Sequence, residues 1–463
     1  MSTAAEGKID RFRQELDREY ARRFPRSRAH FESSVSMLDG ASHAIRWNEP
    51  FMPVAVRAEG PAIVDLDDHR ILDYWQGHFA NILGHNPPLI RNALSETLKE
   101  GGLQSGMLHE IEGEVCDLIC RCTGSETVRL TTSGSLAAFY AVLLARSFTG
   151  RDKVLKVAGG WHGSQPFGLK GVSARGDSFD HLESEGLSAT TGAEIVLTRF
   201  NDVGDLRRAF ERDGDRLACF VVEPMLGAGG GMAATDEYLA EARSLTERNG
   251  ALLLCDEIIT AFRFHAGDLS SLYGVRPDLL ILGKILGGGM PVAAVAGSRE
   301  VMSLCTRNSG RVKFEGGTYS AHELSLVAAR TMMRHLLDSG DEIYGSLADR
   351  GAKMRAGISR IAEEEGIPIF LHGTPNGRRR QSSLIMMHLA AGELPAPTCP
   401  EELLERGHPL IDERLLKSVL LLENVSTRSG LGALSTAHTD DDLERTLVGI
   451  RAAFHGIKKS GLL

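Results

Sequence analysis

The stretch from Ala251 to Gly297 narrows the folds open to this chain more than any other, because it holds two apolar runs that each end in a charged residue. Ala251 to Cys255 is too short for a helix and rich in branched apolar residues, so it reads as a strand buried on both faces. Asp256 and Glu257 stand at its carboxyl end. Such a strand belongs to an open α/β sheet, and those sheets bind ligands outside the carboxyl ends of their strands. The second run, Leu279 to Leu282, leads through Gly283 to Lys284, followed by Ile285, Leu286 and three glycines.

A lysine framed by apolar residues carries a chemical implication. Taking an ammonium out of water pulls its pKa down toward that of a usable amine nucleophile, and a desolvated lysine suits Schiff-base chemistry. A lone lysine in this setting more often packs its stem and sends its charge to solvent. Here Asp256 lies one short crossover upstream, and pyridoxal phosphate needs this pair, a lysine for the aldehyde and a carboxylate opposite the pyridinium nitrogen. The motifs DEIITAFR and GKILGGGMPVAA carry a further point. With them the stretch resembles the class III aminotransferases of the fold-type I pyridoxal-phosphate superfamily, in particular the branch around glutamate-1-semialdehyde aminomutase.

Composition excludes several other classes. Lys and Arg number 52 against 61 Asp and Glu, a net charge of -9, and no long basic run appears, which argues against nucleic acid as the main partner. No apolar run approaches the length of a membrane span. The first twenty residues are charged from the start and lack a signal-peptide core, so a cytoplasmic location is expected. Seven cysteines in 463 residues make no disulfide framework. Cys116, Cys120 and Cys122 cluster at helical spacing without a second ligand pair, which reads as buried or partly buried thiols and not as a metal site.

Ile9, Phe12, Leu16, Tyr20 and Phe24 recur every three or four residues, which predicts an amphipathic amino-terminal helix. It needs a surface to cover it, and a partner subunit could supply one. Met52 to Tyr74 reads as a small meander with turns at Glu59-Gly60 and Asp67-Asp68. From Ile90 to about Leu337, the strand-like runs VRLTT, KVLKVAG, EIVLTRF, LACFVVEP, ALLLCDE and LLILGK alternate with helix-length segments, the pattern of a mostly parallel sheet wrapped by helices. After Asp338 the pattern becomes two amphipathic helices, a hairpin across HGTPNGRRR, more helix and a closing strand near Leu431 to Ser435. Arg378 to Arg380 read as a solvated turn. The expected division is residues 1–89 as helix and meander of the small domain, 90–337 as the large α/β domain, and 338–463 as an α+β small domain. The resemblance implies a large, mostly parallel seven-stranded sheet for the middle part.

Ser133-Gly134-Ser135 follows a strand and opens an apolar helix, so its backbone N–H groups and the positive end of the helix dipole face outward, a phosphate cup in kind. An ordinary serine N-cap has the same local sequence. In the resembling family the position reads Asn-Ser-Gly-Thr-Glu-Ala and holds the cofactor phosphate; here it is Thr132-Ser133-Gly134-Ser135-Leu136-Ala137, keeping hydroxyl and glycine but not Asn and Glu. The resemblance further implies an aromatic residue against one ring face, which Trp161 fills beside His162 in GGWHG, and an aliphatic contact from Ile258 on the other. It implies Asp256 on the ring nitrogen, Glu223 in the Glu-Pro turn over the site, and Thr318 reaching the phosphate of a neighbouring subunit, hence a homodimer with shared sites. Arg46 and Arg428 stand where this branch or some relatives carry arginines facing the substrate. Asp256 and Glu257 point opposite ways at one-residue spacing, which disfavours a metal site.

The expected activity is amino transfer between an amino acid and a keto acid or aldehyde acceptor, with Lys284 and Asp256 catalytic and an intramolecular aminomutase as the alternative. A cofactor-free scaffold on the same fold is disfavoured by the joint presence of Lys284, Asp256 and the phosphate cup. A nucleotide-dependent oxidoreductase is disfavoured because GAGGGM at Gly227 to Met232 lacks the final glycine at proper spacing.

Overall fold

The computed structural model describes residues 3–43, 48–103, 106–375, 382–408, 411–428, 430 and 432–462. Its centre is a seven-stranded sheet made of β4 (Thr127–Thr131), β5 (Lys153–Val157), β6 (Ile195–Thr198), β7 (Leu217–Val222), β8 (Leu252–Asp256), β9 (Leu279–Leu282) and β10 (Ala293–Gly297), in the spatial order β4-β10-β9-β8-β7-β5-β6. Only β10 runs against its neighbours, β4 and β9, so the other six strands point one way. The six runs expected from sequence are six of these strands. The seventh, β10, lies inside the PVAAVAG segment, whose small residues disguise a strand.

The two-residue period of a strand sends alternate side chains to opposite faces. In β8, Leu252 and Leu254 join one apolar cluster while Leu253 and Cys255 join the other, and β9 divides its four residues the same way. One face is covered by the Gly134–Thr149 helix, whose Ala137, Ala138, Ala141 and Ala145 let its backbone approach the sheet closely. The opposite face packs against the Asp236–Asn249 helix through Tyr238 and Leu239, and against Leu326 and Met332 of the Glu323–Glu365 helix. That helix is continuous over 43 residues, so the segment read as two helices is one, and the 337/338 boundary falls inside it.

The terminal segments interleave. β1 (Ala55–Glu59), β2 (Ala62–Asp65) and β3 (Arg70–Asp73) form the expected meander, to which β13 (Val425–Ser426) adds in parallel on β3. β11 (Ile369–His372) pairs with β12 (Leu384–Leu389) as the expected hairpin, and β14 (Gly432–Ala433) completes that sheet. The turn carrying Arg378 to Arg380 lies outside the described residues. The Thr3–Arg23 helix docks on its own chain: Ile9 and Leu16 enter the main core, while Tyr20 and Phe24 pack with Phe51, Ile71 and Leu421.

Candidate active site

Six strands pointing one way deliver their carboxyl ends to one edge of the sheet, and the expected site residues sit just beyond those ends. Ser133, Gly134 and Ser135 follow β4, Trp161 and His162 follow β5, Glu223 follows β7, Asp256 and Ile258 follow β8, and Lys284 follows β9. All of them line one cavity of about 530 Å³. Because β8 and β9 are adjacent and parallel, with Asp256 opposite Ile281, Asp256 and Lys284 emerge side by side.

Asp256 is 4% exposed, and its Oδ2 lies 2.9 Å from Nδ1 of the fully buried His162. A carboxylate only accepts, so the Nδ1 proton belongs to this bond. Burial pushes the His162 pKa down, against the pull of Asp256, which keeps the ring neutral. Glu257 faces away and accepts from the backbone N–H of Leu269 at 3.0 Å and of Ser270 at 2.7 Å, a structural role.

Lys284 sits at a positive φ of 50°. Its amine is ringed by protein although part of the side chain faces the cavity, and burial draws its pKa down to about 8, opposed by the charges of Asp256 and Glu223. Ile258 wedges between the lysine loop and the helix start. A Cβ on Gly134 would come within 2.8 Å of Ile258 Cδ1, and one on Gly283 within 2.9 Å, so a side chain at either position would push the Ile258 methyl aside.

At the helix start, Ser133 accepts from the Leu136 N–H at 3.3 Å as N-cap, and the Ser135 hydroxyl accepts from the Ser164 N–H at 3.1 Å. The first N–H groups of a helix have no intrahelical acceptors and suit a phosphate. Glu223 is 3% exposed and takes the Trp161 N–H at 3.1 Å and the Gly227 N–H at 2.9 Å, pinning two loops; burial and then the Asp256 charge push its pKa up.

Two supports escaped the sequence reading. Lys156, fully buried, donates to the carbonyls of Gly160 at 3.0 Å, Gly168 at 3.3 Å and Lys170 at 2.8 Å, fixing the loop that presents Trp161 and His162. A lysine inside the apolar strand KVLKV was its only signal. The second is a left-handed turn over Gln76, Gly77, His78 and Phe79, with φ of 48, 58, 63 and 69°, which brings Gly77 and His78 to the cavity wall. Asp73 holds it by accepting from the Trp75 N–H at 3.1 Å and the Gln76 N–H at 2.9 Å.

Thr318 is exposed and does not line its own chain's cavity. Arg428 is exposed and likewise off the lining, and Arg46 lies outside the described residues. Cys116, Cys120 and Cys122 lie on one helix, Glu110–Thr123, and among the described residues no cluster could hold a metal ion.

The sequence profile of the aminotransferase class-III family matches residues 44–368. A glutamate-1-semialdehyde 2,1-aminomutase of Pelotomaculum thermopropionicum is 33% identical over 406 residues, covering 87% of this chain and 90% of that protein. Among solved structures, a β-phenylalanine aminotransferase from Variovorax paradoxus superposes with a TM-score of 0.84 at 29% identity, covering 97% of this chain and 98% of that one. A glutamate-1-semialdehyde aminomutase from Pseudomonas aeruginosa reaches a TM-score of 0.85 at 21% identity over 97% of this chain and 98% of that one, a likeness of fold.

Proposed function

The chain belongs to the class-III aminotransferase family, whose cofactor is pyridoxal phosphate, and from that membership we propose that it transfers an amino group from an amino acid to a separate keto acid or aldehyde acceptor. The observation that carries the reading is the convergence on one cavity of a desolvated amine at Lys284, a buried carboxylate at Asp256 and a helix start at Ser133 to Ser135.

These residues fit the cofactor. Gly134 and Ser135 would hold its phosphate, Trp161 and Ile258 would bracket its ring, Asp256 would meet the ring nitrogen, and Lys284 would hold its aldehyde carbon. When bound, the group supplies an electron sink for the pair left when a substrate Cα–H bond breaks. The Asp256 carboxylate stays oriented because neutral His162 donates to it. The buried Lys284 amine would be the base that takes the Cα proton and returns it. Glu223 keeps the Trp161 loop closed over the cavity.

The family includes aminotransferases and, among relatives, aminomutases that shift an amino group within one molecule. Intermolecular transfer is the reading proposed here. An aminomutase must retain its intermediate through both half-reactions, and this chain differs from the family pattern at Leu136, Trp161 and the Tyr319 to Glu323 run, near the elements that would form such a pocket. Arg46 and Arg428 are the proposed contacts for a substrate carboxylate, guanidinium pairing two oxygens at once. A homodimer with Thr318 reaching the partner's phosphate is proposed as well. Exposed apolar side chains such as Leu38, 87% exposed, and Leu108, 88% exposed, support it. The proposed compartment is the cytoplasm, where thiols stay reduced.

The test supplies the pyridoxal form with a panel of α- and β-amino acids and no keto acid. Intermolecular transfer is expected to halt at the pyridoxamine form with one equivalent of keto product. Isomerisation of a single compound through many turnovers would establish the aminomutase instead.

A further inference from the structure

Asn81 stands on the cavity wall with most of its hydrogen-bonding capacity already taken up by the protein. Its backbone N–H donates to the Gln76 carbonyl at 3.0 Å and its carbonyl accepts from the Gly84 N–H at 2.9 Å, so the main chain is fixed on both sides. Its Nδ2 lies 3.3 Å from Nδ1 of His85, and Nε2 of that ring lies 2.8 Å from Oδ2 of Asp73. Asp73 is buried and also accepts from the Trp75 and Gln76 N–H groups of the left-handed turn.

The protons along this series of side chains set which way the amide faces. The Asp73 carboxylate only accepts, so with one proton on the imidazole that proton sits on Nε2 of His85, and Nδ1 is left as an acceptor. Asn81 therefore meets Nδ1 with its NH2 group, which turns Oδ1 away from His85. Among the described residues no group donates to Oδ1, and the atom is not sealed in the packed interior. Gly77 and Gly289, which also line the cavity, lie on either side of it: a Cβ on Gly77 would come within 3.3 Å of Oδ1, and one on Gly289 within 3.9 Å. Having no side chains, the two glycines leave the amide oxygen uncovered.

We propose that Asn81 Oδ1 is a fixed hydrogen-bond acceptor in the cavity and selects substrates that carry a hydrogen-bond donor besides the amine they transfer. The proposal rests on the amino-transfer reading and deepens it by naming a substrate class. The transferred amine is engaged at Lys284 and a carboxylate brings no donor, so the partner of Oδ1 is a hydroxyl or N–H group farther along the substrate. An amide free to turn would accept from one ligand and donate to another. The bond to His85 removes that choice, so a substrate ending in a methyl group leaves Oδ1 without a partner. Asn81 would meet the substrate away from the reacting atoms and act on selectivity alone.

The test titrates the holoenzyme with pairs of amino acids, following the absorbance of the bound cofactor: serine with 2-aminobutyrate, homoserine with norvaline, and 5-hydroxynorvaline with norleucine. Each pair exchanges a hydroxyl for a methyl group at one chain length. The expected result is a Kd about 3- to 10-fold lower for the hydroxyl member of at least one pair, the range for one net hydrogen bond. Asn81→Leu, similar in size but without polar atoms, should abolish that preference and leave the Kd of the methyl member unchanged. Asn81→Asp, which keeps an oxygen acceptor, should retain it. No hydroxyl preference in the wild type at any length, a preference that survives in Asn81→Leu, or equal weakening of both members in that variant would overturn the proposal. No turnover is required. A binding preference without amino transfer in the amino acid panel would retire the reaction and keep the acceptor site, whereas transfer without the preference would retire the acceptor site alone.

Discussion

At Lys284 two physical effects compete, desolvation that favours the free amine and the carboxylates of Asp256 and Glu223 that favour the ammonium, and desolvation prevails. The sign of the consequence follows. A lowered pKa means that the amine is protonated below about 8 and free above it, more than two units earlier than an exposed lysine. Capture of pyridoxal phosphate by the cofactor-free protein should therefore accelerate as pH rises through about 8 and level off well before 10, as followed by stopped-flow absorbance. Borohydride added after capture should fix the cofactor on the peptide containing Lys284. Lys284→Ala should lose this fixation and lose turnover by about 10²- to 10⁴-fold or more, the range for removing a positioned acid–base group. Native turnover in that variant would remove Lys284 from the chemistry.

Elements determine how rigidly those side chains are held. The Gly134–Thr149 helix begins at the cavity, and its first turn depends on the Ser133 hydroxyl accepting from the Leu136 N–H. Ser133→Ala should weaken the start of this helix by about 1 kcal/mol. In hydrogen exchange on the cofactor-free protein, that loss should appear as roughly fivefold faster exchange in peptides covering residues 134–137, with β8 unchanged. Unchanged exchange at the helix start would show that packing of the alanine face against the sheet holds the first turn without the cap. The loop after β5 is held differently, by three carbonyls converging on the Lys156 ammonium. That arrangement fixes Trp161 and His162 through a buried charge, which costs more to break than a single cap.

On the scale of the whole molecule, Leu38, Leu103, Met107, Leu108 and Tyr319 are exposed apolar side chains that a second copy would cover in the proposed homodimer. If Thr318 of one copy completes the phosphate site of another, cofactor binding and association are linked by mass action. Dilution should then release cofactor in parallel with dissociation, measured by light scattering and absorbance on the same samples, and added pyridoxal phosphate should shift dissociation to lower protein concentration. A monomer with full activity and full cofactor affinity would show that each site is complete within one chain.

The sequence by itself determined six of the seven strands of the central sheet and the pairing of Asp256 with Lys284. Both rest on local rules. An apolar run of four or five residues bounded by charge and glycine reads as a buried strand, and adjacent parallel strands must release their carboxyl-terminal residues at the same edge. The strand β10 escaped because alanine and glycine carry little periodic signal. Tertiary structure alone decided which carbonyls Lys156 reaches, the left-handed path of Gln76 to Phe79 and the docking of the amino-terminal helix on its own chain. None of these follows from periodicity. Each depends on where segments remote in sequence are brought by the closing of the sheet, and on buried polar groups satisfied by whatever the packed neighbours present.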